Sequence, residues 1–286
     1  MEPEVTVLIP VRNGENYIAQ AIESVLEQTF THWTLVVRDN RSKDGTRDVV
    51  ARYLSDPRIR LIDGDSDLSM AGNFNRCLDA VRTKYYMILC HDDYFYSPCA
   101  IETAYEVLEA HPSVPSVYTD LMYVDAKRVP ITTRRFRRSG LIDCVTVLRG
   151  SILNMRNMFG ISLLSRTSAL GNLRYDETLP YIIDIDLSAR IAKDKQVYHI
   201  PEMLLANRYH ADNQTHRLQG GIFAQLTTLA ERQRVPLSKL DRVRMKVSAS
   251  YTSAARQAFL IYARGLASAR SFGSKPRSDS ANNGHA

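Results

Sequence analysis

Val5-Thr6-Val7-Leu8-Ile9-Pro10 is a short run of apolar and β-branched residues closed by a proline. A continuous run of this kind, rather than an alternating one, is the pattern of a strand buried on both faces. The polar corner Arg12-Asn13-Gly14 follows, and then Ile18, Ile22, Val25 and Leu26 recur on one face of a helix. The same alternation continues outward. Trp33 to Val37 reads as a second strand, followed by the turn Asp39-Asn40-Arg41-Ser42-Lys43-Asp44-Gly45-Thr46 and a helix with Val49, Val50, Tyr53 and Leu54 inward. Arg58 to Ile62 reads as a third strand, and a helix from about Met70 to Val81 leads into the strand Tyr85 to Cys90. Strands alternating with helices of this length imply βαβ units, hence an α/β fold with a mainly parallel sheet flanked by helices.

The 286 residues exceed the roughly 100–200 of a typical domain, which suggests one large domain with an appendage. A hydrophobic content of 44% and a charged content of 24% are those of a soluble globular chain with material for a large core. No run approaches the roughly 20 apolar residues of a membrane-spanning helix. The acidic start Met1-Glu2-Pro3-Glu4 passes straight into the first strand, unlike a signal peptide. Cys77, Cys90, Cys99 and Cys144 show neither CxxC nor zinc-type spacing and read as reduced thiols, which points to the cytosol. The net charge of +6 is unevenly placed. Between Asp241 and Asp279 there is no acid, but Arg242, Arg244, Lys246, Arg256, Arg264, Arg270, Lys275 and Arg277 fall there. This asymmetry suggests an anionic partner, a lipid surface or a phosphorylated substrate.

Ligands of open parallel sheets bind at the carboxyl ends of strands, where Asp39 and the pair Asp92-Asp93 fall. Either feature alone reads equally well as a turn or helix cap. Adjacent carboxylates are best tolerated where a cation shares their charge, so two acidic strand ends in one array favour a nucleotide-diphosphate and metal site.

These stretches together resemble a family 2 glycosyltransferase with the glycosyltransferase-A fold. The resemblance is carried by Val7 to Asn13, the helix Tyr17 to Phe30, the turn Asp39 to Thr46, Gly72-Asn73-Phe74-Asn75-Arg76-Cys77-Leu78 and Cys90-His91-Asp92-Asp93, in that order. It implies that Asp39 hydrogen-bonds the nucleotide base, that Pro10, Val11 and Arg12 wall the base pocket, and that Asn73 and Arg76 contribute to donor binding. Asp92 is then expected near the ribose and Asp93 on Mg²⁺ or Mn²⁺, which would neutralise the leaving diphosphate. Two residues before Asp92 the family commonly has another acid, where this chain has Cys90.

Pro180 to Arg190 resembles the family's second acidic motif, with Ile183-Asp184 where Glu-Asp is usual. Asp184 matches the general base, and Ile183 beside it would raise its pKa by desolvation. Asp184 also reads as a cap of the helix carrying Leu187 and Ile191, with Arg190 positioning that helix. Arg208 to Thr215 resembles the loop that closes over the donor, and His210 is the candidate for a further metal or diphosphate contact, with Arg208 nearby. The run Thr133-Arg134-Arg135-Phe136-Arg137-Arg138 reads either as a grip for an acceptor phosphate or as a solvated loop.

The resemblance thus implies an inverting transferase moving a sugar from a nucleoside diphosphate donor, a UDP- or dTDP-sugar, to a hydroxyl on a glycan or lipid-linked acceptor of envelope or exported polysaccharide synthesis. The expected layout is a catalytic domain over 1–215, with a donor half over 1–95 and an acceptor half over 96–215. A helical extension over 216–270 and a disordered tail over 271–286 follow. Within the extension Tyr251, Ala255, Ala258, Phe259, Tyr262 and Leu266 share one helical face opposite Arg256 and Arg264, a pattern for peripheral attachment to an anionic membrane. The alternative is that the face packs on the domain itself or on a second subunit as a homodimer. Two other functions stay open: a nucleotidyltransferase, for which Pro10 to Gly14 is a poor Gly-rich loop, and a silent nucleotide-sugar binder. Nucleic acid is not expected, because the basic residues lie outside the αβ core with no aromatic platform.

Overall fold

The structure, a computed structural model, describes residues 2–64, 67–136, 138–160, 162–210 and 221–250. Its centre is a single ten-stranded sheet. The strands are β1 (Val5–Val11), β2 (Trp33–Asp39), β3 (Ile59–Asp63), β4 (Tyr85–Ile88), β5 (Tyr94–Phe95), β6 (Ser116–Asp125), β7 (Pro130–Arg134), β8 (Gly140–Asp143), β9 (Ser162–Arg166) and β10 (Gln196–Tyr209). Their order is β3-β2-β1-β4-β9-β6-β10-β5, with β7 beside β6 and β8 beside β10. The first four strands pair in parallel. Beyond β4 the sheet becomes mixed: β9 runs antiparallel to both β4 and β6, whereas β6 and β10 are parallel.

The alternation in the sequence accounts for the parallel half. All seven residues of β1 are buried, because β2 and β4 flank it and helices cover both faces. α1 (Ile18–Leu26) buries Ile18, Ala21, Ile22 and Val25, the face read from its spacing. α2 (Thr46–Ala51) is shorter than expected; within the stretch read as its inward face only Val50 is fully buried, and Leu54 is 40% exposed. α3 (Met70–Leu78) begins on Ser69, whose Oγ accepts from the Gly72 N–H at 3.0 Å, a side-chain cap. Truncating a fully buried residue here, such as Ile9→Ala, should cost about 2–5 kcal/mol.

α4 (Ala100–Ala110), α5 (Cys144–Leu153), the short α6 (Thr167–Leu170) and α7 (Ile183–Ile191) build the second half. α8 (Ile222–Arg232) and a helix over 239–250, here α9, follow. These last helices share a core with α5 and α7, in which Ile152, Ile182, Ile185, Leu226, Leu229 and Met245 meet. Residues 222–250 are therefore fastened to α5 and α7. The Tyr251-to-Leu266 stripe, the stretch 211–215 and the tail over 271–286 lie outside the described residues.

Candidate active site

Three strand ends meet where β1, β2 and β4 finish. After β1 the chain turns through Asn13 in the left-handed region (φ 54°). The Asn13 N–H donates to Ser42 Oγ at 2.8 Å, and Lys43 N–H donates to Asn13 Oδ1 at 2.8 Å. Gly14 N–H donates to Thr46 Oγ1 at 2.8 Å, so the two loops are stitched together. Gly14 has to be glycine: a Cβ there would lie 2.5 Å from the His91 ring and 2.6 Å from Val11.

Asp39 closes β2 and is 1% exposed. Its Oδ1 accepts from the Ser42 N–H at 3.0 Å and from Ser42 Oγ–H at 2.5 Å. Its Oδ2 is buried and has no hydrogen bond among the described residues, with the Arg47 guanidinium 3.8 Å away. A buried carboxylate oxygen without a donor is costly, and a ligand N–H would satisfy it. Gly64, which the sequence reading did not single out, presses on this turn: its N–H donates to Asp39 O at 2.8 Å, and a Cβ would come within 2.6 Å of that oxygen.

Pro10 and Val11 are buried at the end of β1. Arg12 leaves the strand exposed and forms a two-point ion pair with Asp67. Asn73 lies buried on α3 with its Oδ1 accepting from Arg38 at 2.6 Å. Arg76 is not brought to the strand ends in this way: it lies on the exposed face of α3, 3.7 Å from Asp79.

The acidic pair divides into two environments. Asp93 is buried and accepts from Asn207 Nδ2 and from the Arg208 N–H, both at 2.9 Å, through Oδ2 and Oδ1 respectively. Burial pushes its pKa well above the ordinary carboxylate value, and the Asp92 charge adds to this. Asp92 Oδ2 lies 3.0 Å from His210 Nε2. Burial opposes ionisation of Asp92, but the hydrogen bond from His210 and the charges of His91 and His210 outweigh it and lower its pKa. His210 also stacks on Tyr17 of the α1 entry, with ring centroids 4.7 Å apart.

Arg208, expected only as a neighbour of His210, is the clamp of this corner. It is 4% exposed, donates from Nε to Asp92 O at 2.9 Å and from Nη1 to Ala126 O at 3.1 Å, and reaches Gln20. Its guanidinium lies over the Tyr17 ring at 4.7 Å.

Cys90, Asp92 and Asp93 each offer a ligand atom within 4.8 Å of the others. Of these groups it is the Asp92 carboxylate, with the His210 imidazole beside it, that fits a divalent cation such as Mg²⁺ or Mn²⁺. Burial, then the charges of Asp93, Asp92 and Asp184, push the Cys90 pKa well above its usual value, so Cys90 stands as a neutral thiol.

Asp184 reaches the same cleft from the first turn of α7. Its Oδ2 accepts from Asn157 Nδ2 at 2.5 Å. Crowding by protein atoms raises its pKa, opposed by the bonds from Ile185 N–H and Asn157, although the side chain itself is open to solvent. Asp186 is turned inward, with Arg190 Nη2 2.6 Å from its Oδ2. Arg190 also donates to Arg174 O at 2.6 Å, which braces α7 as expected.

The model of the Glycosyl transferase family 2 matches residues 6–166, more than half of the chain. An uncharacterized glycosyltransferase of Rickettsia prowazekii is 28% identical over 219 residues, which is 75% of this chain and 66% of that protein. The putative teichuronic acid biosynthesis glycosyltransferase TuaG of Bacillus subtilis is 33% identical over 93 residues, 32% of this chain and 37% of its own length. The chain thus spans two thirds or less of these relatives. Among solved structures, S. aureus TarS with UDP-GlcNAc superposes with a TM-score of 0.67 at 15% identity, covering 87% of this chain and 70% of that one. The mannosyltransferase PcManGT from Pyrobaculum calidifontis, in complex with GDP-Man and Mn²⁺, gives 0.58 at 17% identity over 93% and 81%. Fold and family agree with the strand-end carboxylates: this chain has the glycosyltransferase-A fold and belongs to glycosyl transferase family 2.

Proposed function

We propose that this chain transfers a sugar from a nucleoside diphosphate donor to an acceptor hydroxyl, with inversion at the anomeric carbon. The observation that carries this reading is that α7, whose first turn carries the exposed Asp184, packs through Leu187 and Ile191 in one core with Leu8 of β1 and Tyr86 of β4, the strands that lead to the Asp39 and Asp92–His210 corner. The unsatisfied Oδ2 of Asp39 accepts the ring N–H of a base such as uracil or thymine, which favours a UDP- or dTDP-sugar. Val11 and the Arg12–Asp67 pair flank that base.

Asp92 and His210 hold the cation, and Asp93, engaged by Asn207 and Arg208, fixes the turn that presents Asp92. The family resemblance puts the cation on Asp93 and Asp92 near the ribose; in this reading the cation lies on Asp92 instead. When bound, the cation supplies charge neutralisation of the diphosphate. Asp184 takes the proton of the acceptor hydroxyl as its oxygen bonds to the anomeric carbon. The bond from that carbon to the diphosphate oxygen breaks, and its electron pair leaves with the nucleoside diphosphate. One displacement of this kind inverts the centre and needs no glycosyl-enzyme intermediate. A panel of nucleotide sugars, followed by ligand-observed NMR and by diphosphate release with and without Mn²⁺, tests the reading. Binding without release in the presence of glycan acceptors would mark a silent binder instead.

The acceptor is lipid-linked in this reading, because α9 offers a membrane-facing side. Leu240, Val243 and Val247 are 77%, 56% and 65% exposed and lie on one face of it. Lys239, Arg242 and Lys246 flank them, while Met245 is buried on the opposite side. An apolar stripe bordered by basic residues suits an anionic lipid surface, at about 1 kcal/mol per basic residue near the headgroups. The same helix touches the end of α5, where Ser248 Oγ donates to Leu153 O at 3.1 Å, a few residues before Asn157. No helix of the described residues is long and apolar enough to cross a membrane.

A further inference from the structure

The basic run Thr133 to Arg138 does not form one patch. Arg135 lines a separate cavity with Asp120, Glu202 and Tyr96, whereas Arg134 reaches Met158 in the turn whose Asn157 binds Asp184. There it meets an arginine from outside the run, Arg156.

The meeting place is a turn over residues 156–160 that Asn157 holds rigid. Its Nδ2 donates to Gly160 O at 2.8 Å as well as to Asp184, and its Oδ1 accepts from the Phe159 and Gly160 N–H groups at 2.8 and 3.1 Å. Arg134, the last residue of β7, approaches this turn with Nη2 3.5 Å from Met158 Sδ. Its guanidinium stacks at 5.1 Å over Phe136, whose ring covers Gly160. These contacts hold the group in place without neutralising it. Arg156 opens the same turn with an exposed side chain, and crowding together with the nearby Arg134 charge lowers its pKa. Among the described residues neither guanidinium lies in an ion pair, unlike Arg12 with Asp67, Arg47 with Asp63 and Arg190 with Asp186. Two like charges held together repel; the Asp184 charge offsets only Arg134 and forms an ion pair with neither, and an anion that accepts from both relieves the repulsion.

We propose that Arg134 and Arg156 form an anion subsite on the acceptor side of the cleft, so that the acceptor carries a phosphate or a carboxylate close to the hydroxyl that is glycosylated. The acceptor side is defined by Asp184, and to that extent the inference rests on the function proposed above. The donor's diphosphate is served at the Asp92–His210 end, so these two guanidiniums are available to a second anion. Arginine suits the task because its planar fork binds either oxyanion at two points.

The test uses the full chain saturated with UDP and Mg²⁺, which is diamagnetic, and titrates two probes, glycerol 3-phosphate and glucuronic acid. The readout is the Nε–H NMR signals of Arg134 and Arg156, assigned with R134Q and R156Q, with melting curves to confirm that the variants fold. At least one probe is expected to shift both signals, and R134Q/R156Q should bind it about tenfold or more weakly while UDP affinity is unchanged. A response to the phosphate alone assigns a phosphorylated acceptor, and a response to the uronate alone a carboxylated one. The proposal is overturned if neither probe moves the signals, or if the double variant loses UDP affinity in parallel, which would assign the guanidiniums to the donor. Because binding is read without turnover, a chain that binds the probes but never transfers sugar would sink the catalytic reading and leave the subsite standing.

Discussion

His210 Nε2 lies 3.0 Å from Asp92 Oδ2, joining the end of β10 to the end of β4 across 118 residues of chain. The contact places an imidazole and a carboxylate side by side at the mouth of the cleft, while the next residue, Asp93, is sealed beneath Arg208. Asp92→Asn and His210→Gln should therefore abolish most of the Mn²⁺-dependent part of UDP affinity, measured by calorimetry with and without chelator. Asp93→Asn should lower the melting temperature more than it lowers metal-dependent binding, because an amide presents a donor where Asn207 and Arg208 already donate. The opposite ranking would return the cation to Asp93.

Asp39→Asn should weaken UDP binding by about tenfold or more, since the unsatisfied Oδ2 could become an N–H facing a base N–H. Gly64→Ala should do the same from a distance by pushing on Asp39 O, where an added Cβ would sit at 2.6 Å. Isothermal titration with UDP checks both, and unaltered affinity in both variants would place the base elsewhere.

Arg208→Met should destabilise the fold by about 3–5 kcal/mol, because it leaves the carbonyls of Asp92 and Ala126 without their buried donor. Chemical denaturation measures this. A near-neutral effect would mean that the clamp forms only when ligand is bound.

The parallel part of the sheet was legible because its signals are local. β1, α1 and the Asp39 turn each announce themselves within ten residues, and burial of the whole of β1 follows from its unbroken apolar run. The different surroundings of Asp92 and Asp93 were not legible, since they depend on which of the two Asn207 and Arg208 reach from the far end of the chain. Arg134 could be seen as basic, but its partner Arg156 comes from a different segment, and only the Asn157-braced turn unites them. Gly64 had a weak signal, a glycine directly after a strand whose neighbour ends in Asp39. The mixed character of the second half was hidden because β9 enters between β4 and β6 by a long-range connection.

Replacing Lys239, Arg242 and Lys246 together by Gln should reduce co-sedimentation with anionic vesicles at low salt, where screening is least. Leu240→Ser with Val243→Ser should reduce it further with little change in stability, since both side chains are exposed. If the parent chain ignores such vesicles, or if light scattering shows a dimer that these changes dissolve, the stripe is a contact between copies.

The most direct test of the central assignment is sugar transfer by Asp184→Asn beside its UDP affinity, with the pH profile of the parent enzyme. Asparagine keeps the size of the side chain and removes its basicity. The expected result is UDP bound as tightly as by the parent, transfer reduced by about 10²–10⁴-fold, and a parent acid limb lying above the ordinary aspartate range. The sign follows from the role: a base works only when deprotonated, so a raised pKa moves the rise in activity to higher pH. Near-normal transfer by a folded Asp184→Asn protein would contradict the assignment and move the base to another group in the cleft.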